Sequence, residues 1–247
     1  MATLDTSFSS ILFFALLGAA PSILWLLYFL RQDKHPEPKR LIVRVFLLGM
    51  LATIPAIFLE KELHAILRQF RLSDVQFYFL YFIFGVALVE ELFKFFTTRI
   101  GIFSNRNLDE PVDVMIYIIT AALGFAAYEN ILLLLRLGPV YPVADIIWIT
   151  AFRFIGATFL HALASGLFGY FLAISLFSRK RTWLPYSLIG LTLATVLHGL
   201  FNFYIYTIGA DKIFHLIFPT IVLVVIAFFV TLAFRKLKQM KNISKTI

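Results

Sequence analysis

The chain alternates between long apolar stretches and short polar ones. Continuous apolar runs cover roughly residues 8–30, 41–59, 75–98, 112–135, 146–177, 186–207 and 213–234. Each is close to or above the roughly 20 residues that a helix needs to cross a bilayer. Backbone groups in hydrocarbon must pair within their own segment, so runs of this length predict membrane-spanning helices. The alternating pattern of a membrane barrel is absent. The expected fold is all-α: a polytopic transmembrane helical bundle of about seven spans. It forms one integral membrane domain over 1–247, with its chemistry-bearing core in 75–207. The fifth run is longer than a bilayer requires and predicts a helix that tilts or extends outside. The first run lacks a preceding basic segment and is too long for a signal peptide, so it too is expected to be a span.

The polar intervals refine this picture. In "EKELHAILRQFRLSD", residues 60–74, Leu63, Ile66, Leu67 and Phe70 follow an i, i+3, i+4, i+7 rhythm with charges between them. That predicts a short amphipathic helix lying on the membrane surface. Ser73 and Gln76 have the spacing of a capping box for the third span. Lys and Arg are unevenly shared. The intervals 31–40, 99–111, 178–185 and 235–247 hold fourteen, whereas 60–74, 136–145 and 208–212 hold five. Positive charge collects on the cytoplasmic side, so the N-terminus is expected outside and the C-terminus inside.

Composition agrees with the pattern and narrows the function. The chain is 61% hydrophobic and 15% charged, against about 45–50% and about 25% in soluble domains. The net charge of +8 sits at the edges of apolar runs. It is therefore expected to face one membrane surface, the lipid bilayer being its partner, and no nucleic acid. There is no cysteine, which excludes thiol nucleophiles, thiolate metal ligands and disulfides.

Against this background, the ionisable residues within the spans stand out, because each costs a few kcal/mol in lipid. The third span contains "FGVALVEELFKFFTTR", with Glu90, Glu91 and Lys94. Glu90 and Lys94 are four apart and share a helix face. Glu91 points about 100° away, so Lys94 is expected to neutralise one glutamate well and leave the other for a neighbouring helix. The fourth span brings Glu129 and Asn130, the fifth Arg153 and His161, and the sixth His198 and Asn202. His161 and Ser165 are four apart, as are His198 and Asn202, so each pair lies along one stripe. Asp113, beside Pro111, is expected to start the fourth span, and Arg153 to reach the outer interface.

Depths counted from the predicted span ends place Glu90 and His161 roughly 24 Å from the outer end, and His198 about 18 Å above the inner face. They place Glu129 about 26 Å above the inner face, further out than the rest. Any one of these groups could serve as helix–helix glue. Three carboxylates, two histidines and an asparagine across four successive spans form a set that can activate water and stabilise an oxyanion.

Several protease signatures are missing. There is no His-Glu-x-x-His helix, no Gly-x-Ser-Gly, and only Asp113 among aspartates lies within a span. What remains is "EELFK", "FAAYEN", "HALAS" and "HGLFN", in that order on successive spans. This series resembles the PrsW family of intramembrane proteases, which is related to the CAAX-prenyl endopeptidases and to bacteriocin-processing membrane proteins. "DKHPEP" after the first span and "DEPVD" before the fourth are also similar to the family.

The resemblance implies an enzyme: an intramembrane endopeptidase, acting on single-span membrane proteins from a bacterial plasma membrane. Cleavage of a membrane-anchored anti-sigma factor is the implied role. The implied catalytic residues are Glu90, Glu91, Lys94, Glu129, His161, His198 and Asn202. Glu90 or Glu91 would serve as base, and His198 with Asn202 would hold the carbonyl oxygen. Glu129, His161 and His198 would orient the water or bind a metal such as Zn²⁺; a metal-free glutamate mechanism uses the same residues. Two other classes fit intramembrane carboxylates and histidines: a proton-coupled transporter, and a scaffold that binds membrane partners without cutting them. No inverted repeat supports the transporter.

Overall fold

A computed structural model describes residues 8–103, 108–177, 183–208 and 213–240. The described residues are helical apart from short connections. The helices are α1 (Phe8–Leu30), α2 (Lys39–Leu67), α3 (Asp74–Leu80), a π-helical segment (Tyr81–Ala87), α4 (Leu88–Ile102), α5 (Pro111–Leu137), α6 (Val143–Ile155), α7 (Ala157–Phe177), α8 (Trp183–Ile208) and α9 (Ile213–Leu237). Six stretches among the described residues are long and apolar enough to cross a membrane: α1, α2, α5, α6 with α7, α8 and α9. The seventh expected span, 75–98, is helical throughout but changes winding twice, from α to π and back. The basic interval 178–182, Arg106, Lys212 and the tail from residue 241 lie outside the described residues.

The ends of the helices follow local chemistry. Ser73 caps α3: its hydroxyl accepts the Gln76 N–H, and the Gln76 side chain accepts the Ser73 N–H, as the spacing predicts. Pro111 occupies the first turn of α5, where its missing N–H costs nothing. Glu110 and Asp113 cap that end reciprocally. Residues 60–67 do not form a separate surface helix. Neither glycine nor proline interrupts the chain after Pro55, so they complete the last turns of α2. The long fifth run is two helices, because the backbone at Gly156 (φ −92°, ψ −96°) departs from helical geometry. His161 therefore lies only four residues into α7, roughly 6 Å from its start. That brings it outward to the level of Glu129.

Helix α5 is the centre of the bundle. Every residue from Pro111 to Ala127 is buried, and a helix that is apolar on all sides belongs in an interior. It packs against α1, α2, α4, α7 and α9. Leu16, Phe58, Val224 and Phe228, on α1, α2 and α9, are more than half exposed and form part of the surface offered to lipid.

The contact of α2 with α5 depends on two glycines. A Cβ on Gly49 would overlap the carbonyl oxygen of Ala121, and one on Gly124 would overlap that of Phe46. The obstacles are backbone atoms, which cannot turn aside as side chains do. Small residues that let helix backbones touch are typical of membrane packing. Gly124→Val should therefore cost at least about 1–3 kcal/mol. It should appear as a lower melting temperature of the purified protein in detergent, with Gly101→Ala, whose added Cβ meets only side chains, causing less change.

Candidate active site

Four helices deliver the site. Glu90, Glu91 and Lys94 come from α4, Glu129 from α5, His161 and Ser165 from α7, and His198 and Asn202 from α8. All except Glu129 and Asn202 are almost fully buried. Gly199 lets α8 come close to the π-helical segment, since a Cβ there would press on the backbone of Phe82 and Ile83. The extra residue in each π turn shifts the face on which the following residues emerge, and Glu90 follows the segment within one turn.

Lys94 is the hub. Its ammonium contacts Glu91 Oε1 at 2.7 Å, Glu90 Oε2 at 3.2 Å and His161 Nδ1 at 2.8 Å. It therefore engages both glutamates and lies closer to Glu91, contrary to the expectation that it serves one. The Lys94 stem is flexible enough to reach positions at both i−3 and i−4. The ring of Phe125 lies 5.0 Å from the ammonium, within cation–π range.

The geometry fixes proton positions. An ammonium only donates, so His161 Nδ1 accepts. The proton of neutral His161 then sits on Nε2, which donates to Glu129 Oε2 at 3.0 Å. His198 Nδ1 faces Glu91 Oε1 at 3.1 Å. The carboxylate can only accept, so this nitrogen is protonated and His198 Nε2 keeps its lone pair.

The two adjacent glutamates have different surroundings. Glu91 is saturated: Lys94, His198 and the Ser165 hydroxyl (2.7 Å) all donate to it. Glu90 is flanked by two imidazoles, with Oε2 at 3.6 Å from His161 Nδ1 and 3.7 Å from His198 Nε2. It lines a cavity of about 380 Å³, together with Glu129, His161, His198, Asn202 and Arg153.

Arg153 turns inward instead of toward the outer interface. It hydrogen-bonds Asn130 Oδ1 through Nε and lies 3.8 Å from Glu129 Oε2. Asn130 in turn donates to the Thr158 hydroxyl at 3.0 Å. The Glu129 carboxylate explains the inward turn, because it offers the guanidinium a closer partner than the interface does. Glu60 and Arg136 also line the cavity, and the sequence pattern did not select them. Glu60 sits three residues after Ile57, another lining residue, so a shared face of α2 was the available signal.

Glu90, His161 and His198 each offer one ligand atom, all within 4.8 Å of one another. Glu129 contacts the far nitrogen of His161 and does not join that set. The donors suit Zn²⁺, which favours two imidazoles and a carboxylate with an open position. Each imidazole also holds a carboxylate on its other nitrogen, Glu129 on His161 and Glu91 on His198, the usual arrangement behind metal-bound histidines. The residues therefore fit a metal, provided that Lys94 yields the His161 lone pair and keeps its bond to Glu91.

Comparison with known proteins gives the family of the chain. The family described as "PrsW family intramembrane metalloprotease" matches residues 37–233. "Protease PrsW" of Oceanobacillus iheyensis is 34% identical, covering 75% of this chain and 80% of the relative. The proteins of the same name from Geobacillus kaustophilus and Bacillus subtilis are 31% and 27% identical, covering 75% of this chain and 76% and 79% of their own lengths. No solved structure gives a significant match.

Proposed function

From the chain's membership of the PrsW family of intramembrane metalloproteases, we propose that its buried glutamate–histidine cluster hydrolyses a peptide bond of a single-span membrane protein in the bacterial plasma membrane. The observation that carries this reading is the placement of Glu90 between His161 and His198 at the wall of the cavity.

Glu90, His161 and His198 would hold a metal such as Zn²⁺. Bound there, it would acidify water and polarise the scissile carbonyl. The chain's own residues have distinct parts. Glu90 accepts a hydrogen bond from the attacking water and orients it. Glu91, saturated by three donors, positions His198 and Lys94. Glu129 is the most exposed of the three carboxylates, with a side chain 26% exposed. It holds His161 in place through Nε2 and itself lines the cavity, where its carboxylate would take the proton of the water directly and return it to the leaving nitrogen. Asn202 lies one turn beyond His198 on the same stripe and lines the cavity. Its amide N–H groups would donate to the developing oxyanion. Removing one such donor costs about 10²–10³-fold in turnover.

Asn202→Ala should therefore lower kcat by about that factor while the melting temperature stays near the wild-type value. Co-expression with single-span membrane proteins tests the function itself. A cleavage product made by the wild type and absent with well-folded Glu90→Gln and His198→Ala supports hydrolysis. Unchanged processing by both variants contradicts it, and proton uptake into vesicles that both variants abolish would favour a transporter. The unequal Lys and Arg counts support an outside N-terminus. A C-terminal reporter fusion should be active only in the cytoplasm, and a reading outside would reverse the topology.

A further inference from the structure

The polar ends of the bundle contain a second cluster. Asp33 and Glu37 come from the α1–α2 connection and Asp113 from the first turn of α5. One carboxylate oxygen of each lies within 4.8 Å of the other two. Asp113 is sixteen residues before Glu129 on the same helix, so the cluster is roughly 24 Å from the active site.

Most oxygens here have ordinary partners. Asp113 Oδ2 accepts the N–H groups of Asp109 (3.0 Å) and Glu110 (2.7 Å), as a helix cap. Glu37 accepts the Tyr117 hydroxyl. Asp33 Oδ1 accepts the His35 N–H at 2.9 Å. Asp33 Oδ2 is the exception. Asp33 is only 9% exposed, and this oxygen is buried with no hydrogen-bond partner. An unsatisfied carboxylate oxygen beside two more carboxylates costs free energy unless a cation meets it. His35 does not supply that cation, because its Nδ1 pairs with Glu110 at 2.8 Å.

We propose that Asp33, Glu37 and Asp113 form a cation site, separate from the active site, that takes a hard divalent ion such as Mg²⁺ or Ca²⁺. All donors are oxygens, which select hard cations over Zn²⁺ or Cu²⁺. The bound ion joins the α1–α2 connection to the start of α5, the helix that carries Glu129. The Lys238 ammonium also lies near Asp33.

The test uses the full chain purified in detergent, with His161→Ala and His198→Ala added to remove the other metal-capable set. Tb³⁺ serves as the probe, because Tyr117 adjoins the cluster and sensitises its emission. We expect saturable Tb³⁺ emission displaced by Ca²⁺ or Mg²⁺, and a higher melting temperature in the divalent ion. Asp33→Asn should weaken the apparent affinity at least about tenfold, since affinity follows the number of charged ligands. Glu37→Gln, in the more open part of the loop, makes the same test if Asp33→Asn does not fold. Tyr117→Phe should dim the emission and keep the thermal shift. The proposal is overturned if emission and melting temperature respond to the ions equally in wild type, Asp33→Asn and Glu37→Gln. It is also overturned if neither responds at millimolar ion, which would leave protons and Lys238 as the neutralising partners.

Discussion

Glu90→Gln is expected to reduce cleavage of a membrane-anchored substrate by about 10³-fold, because it removes a charged ligand and the acceptor that orients the attacking water, with little change in stability. Glutamine keeps the volume of the side chain, and Lys94 retains Glu91 at 2.7 Å. Glu91→Gln should lose activity as well, but for a different reason. It weakens the partner of Lys94, Ser165 and His198 together, so it should also lower the melting temperature. Measuring kcat and thermal stability for both variants separates the two glutamates. Equal loss of stability in both, or full activity in Glu90→Gln, would remove Glu90 from the centre of the mechanism.

The second large effect concerns Lys94, which is fully buried. Lys94→Met leaves Glu90 and Glu91 in the bundle interior without their shared cation. Breaking a buried ion pair from one side costs about 3–5 kcal/mol, a large part of the stability of an ordinary domain. The variant should accumulate poorly in the membrane and melt early in detergent. Adding Glu91→Gln to Lys94→Met removes one of the stranded charges and should recover much of the folded protein, though not its activity. The double-mutant comparison reads the coupling directly. If Lys94→Met is as stable as the wild type, the three contacts of the ammonium do not hold the site together.

The sequence made several parts of this arrangement readable. Long apolar runs identified the helices, since only helices or closed barrels satisfy the backbone in lipid. The four-residue intervals from His161 to Ser165 and from His198 to Asn202 correctly placed each pair along one stripe, because helical spacing is local. What was not readable depends on contacts between distant segments. Lys94 bridges both glutamates because His161 approaches from α7, 67 residues away. Arg153 turns inward because Glu129 and Asn130 wait on α5. The break at Gly156 was hidden inside a continuous apolar run, and it misplaced His161 in depth. Glu60 reaches the cavity only because α2 continues past the expected membrane edge.

In the proposed mechanism, the Glu90, His161 and His198 cluster delivers water to a peptide bond. Mass spectrometry of fragments formed in ¹⁸O-labelled water tests it most directly, using protein reconstituted in liposomes with a single-span membrane substrate. One ¹⁸O atom is expected in the new C-terminal carboxyl of the fragment made by the wild type, and no such fragment with Glu90→Gln or His198→Ala. Fragments carrying the label in undiminished yield from both variants would contradict it.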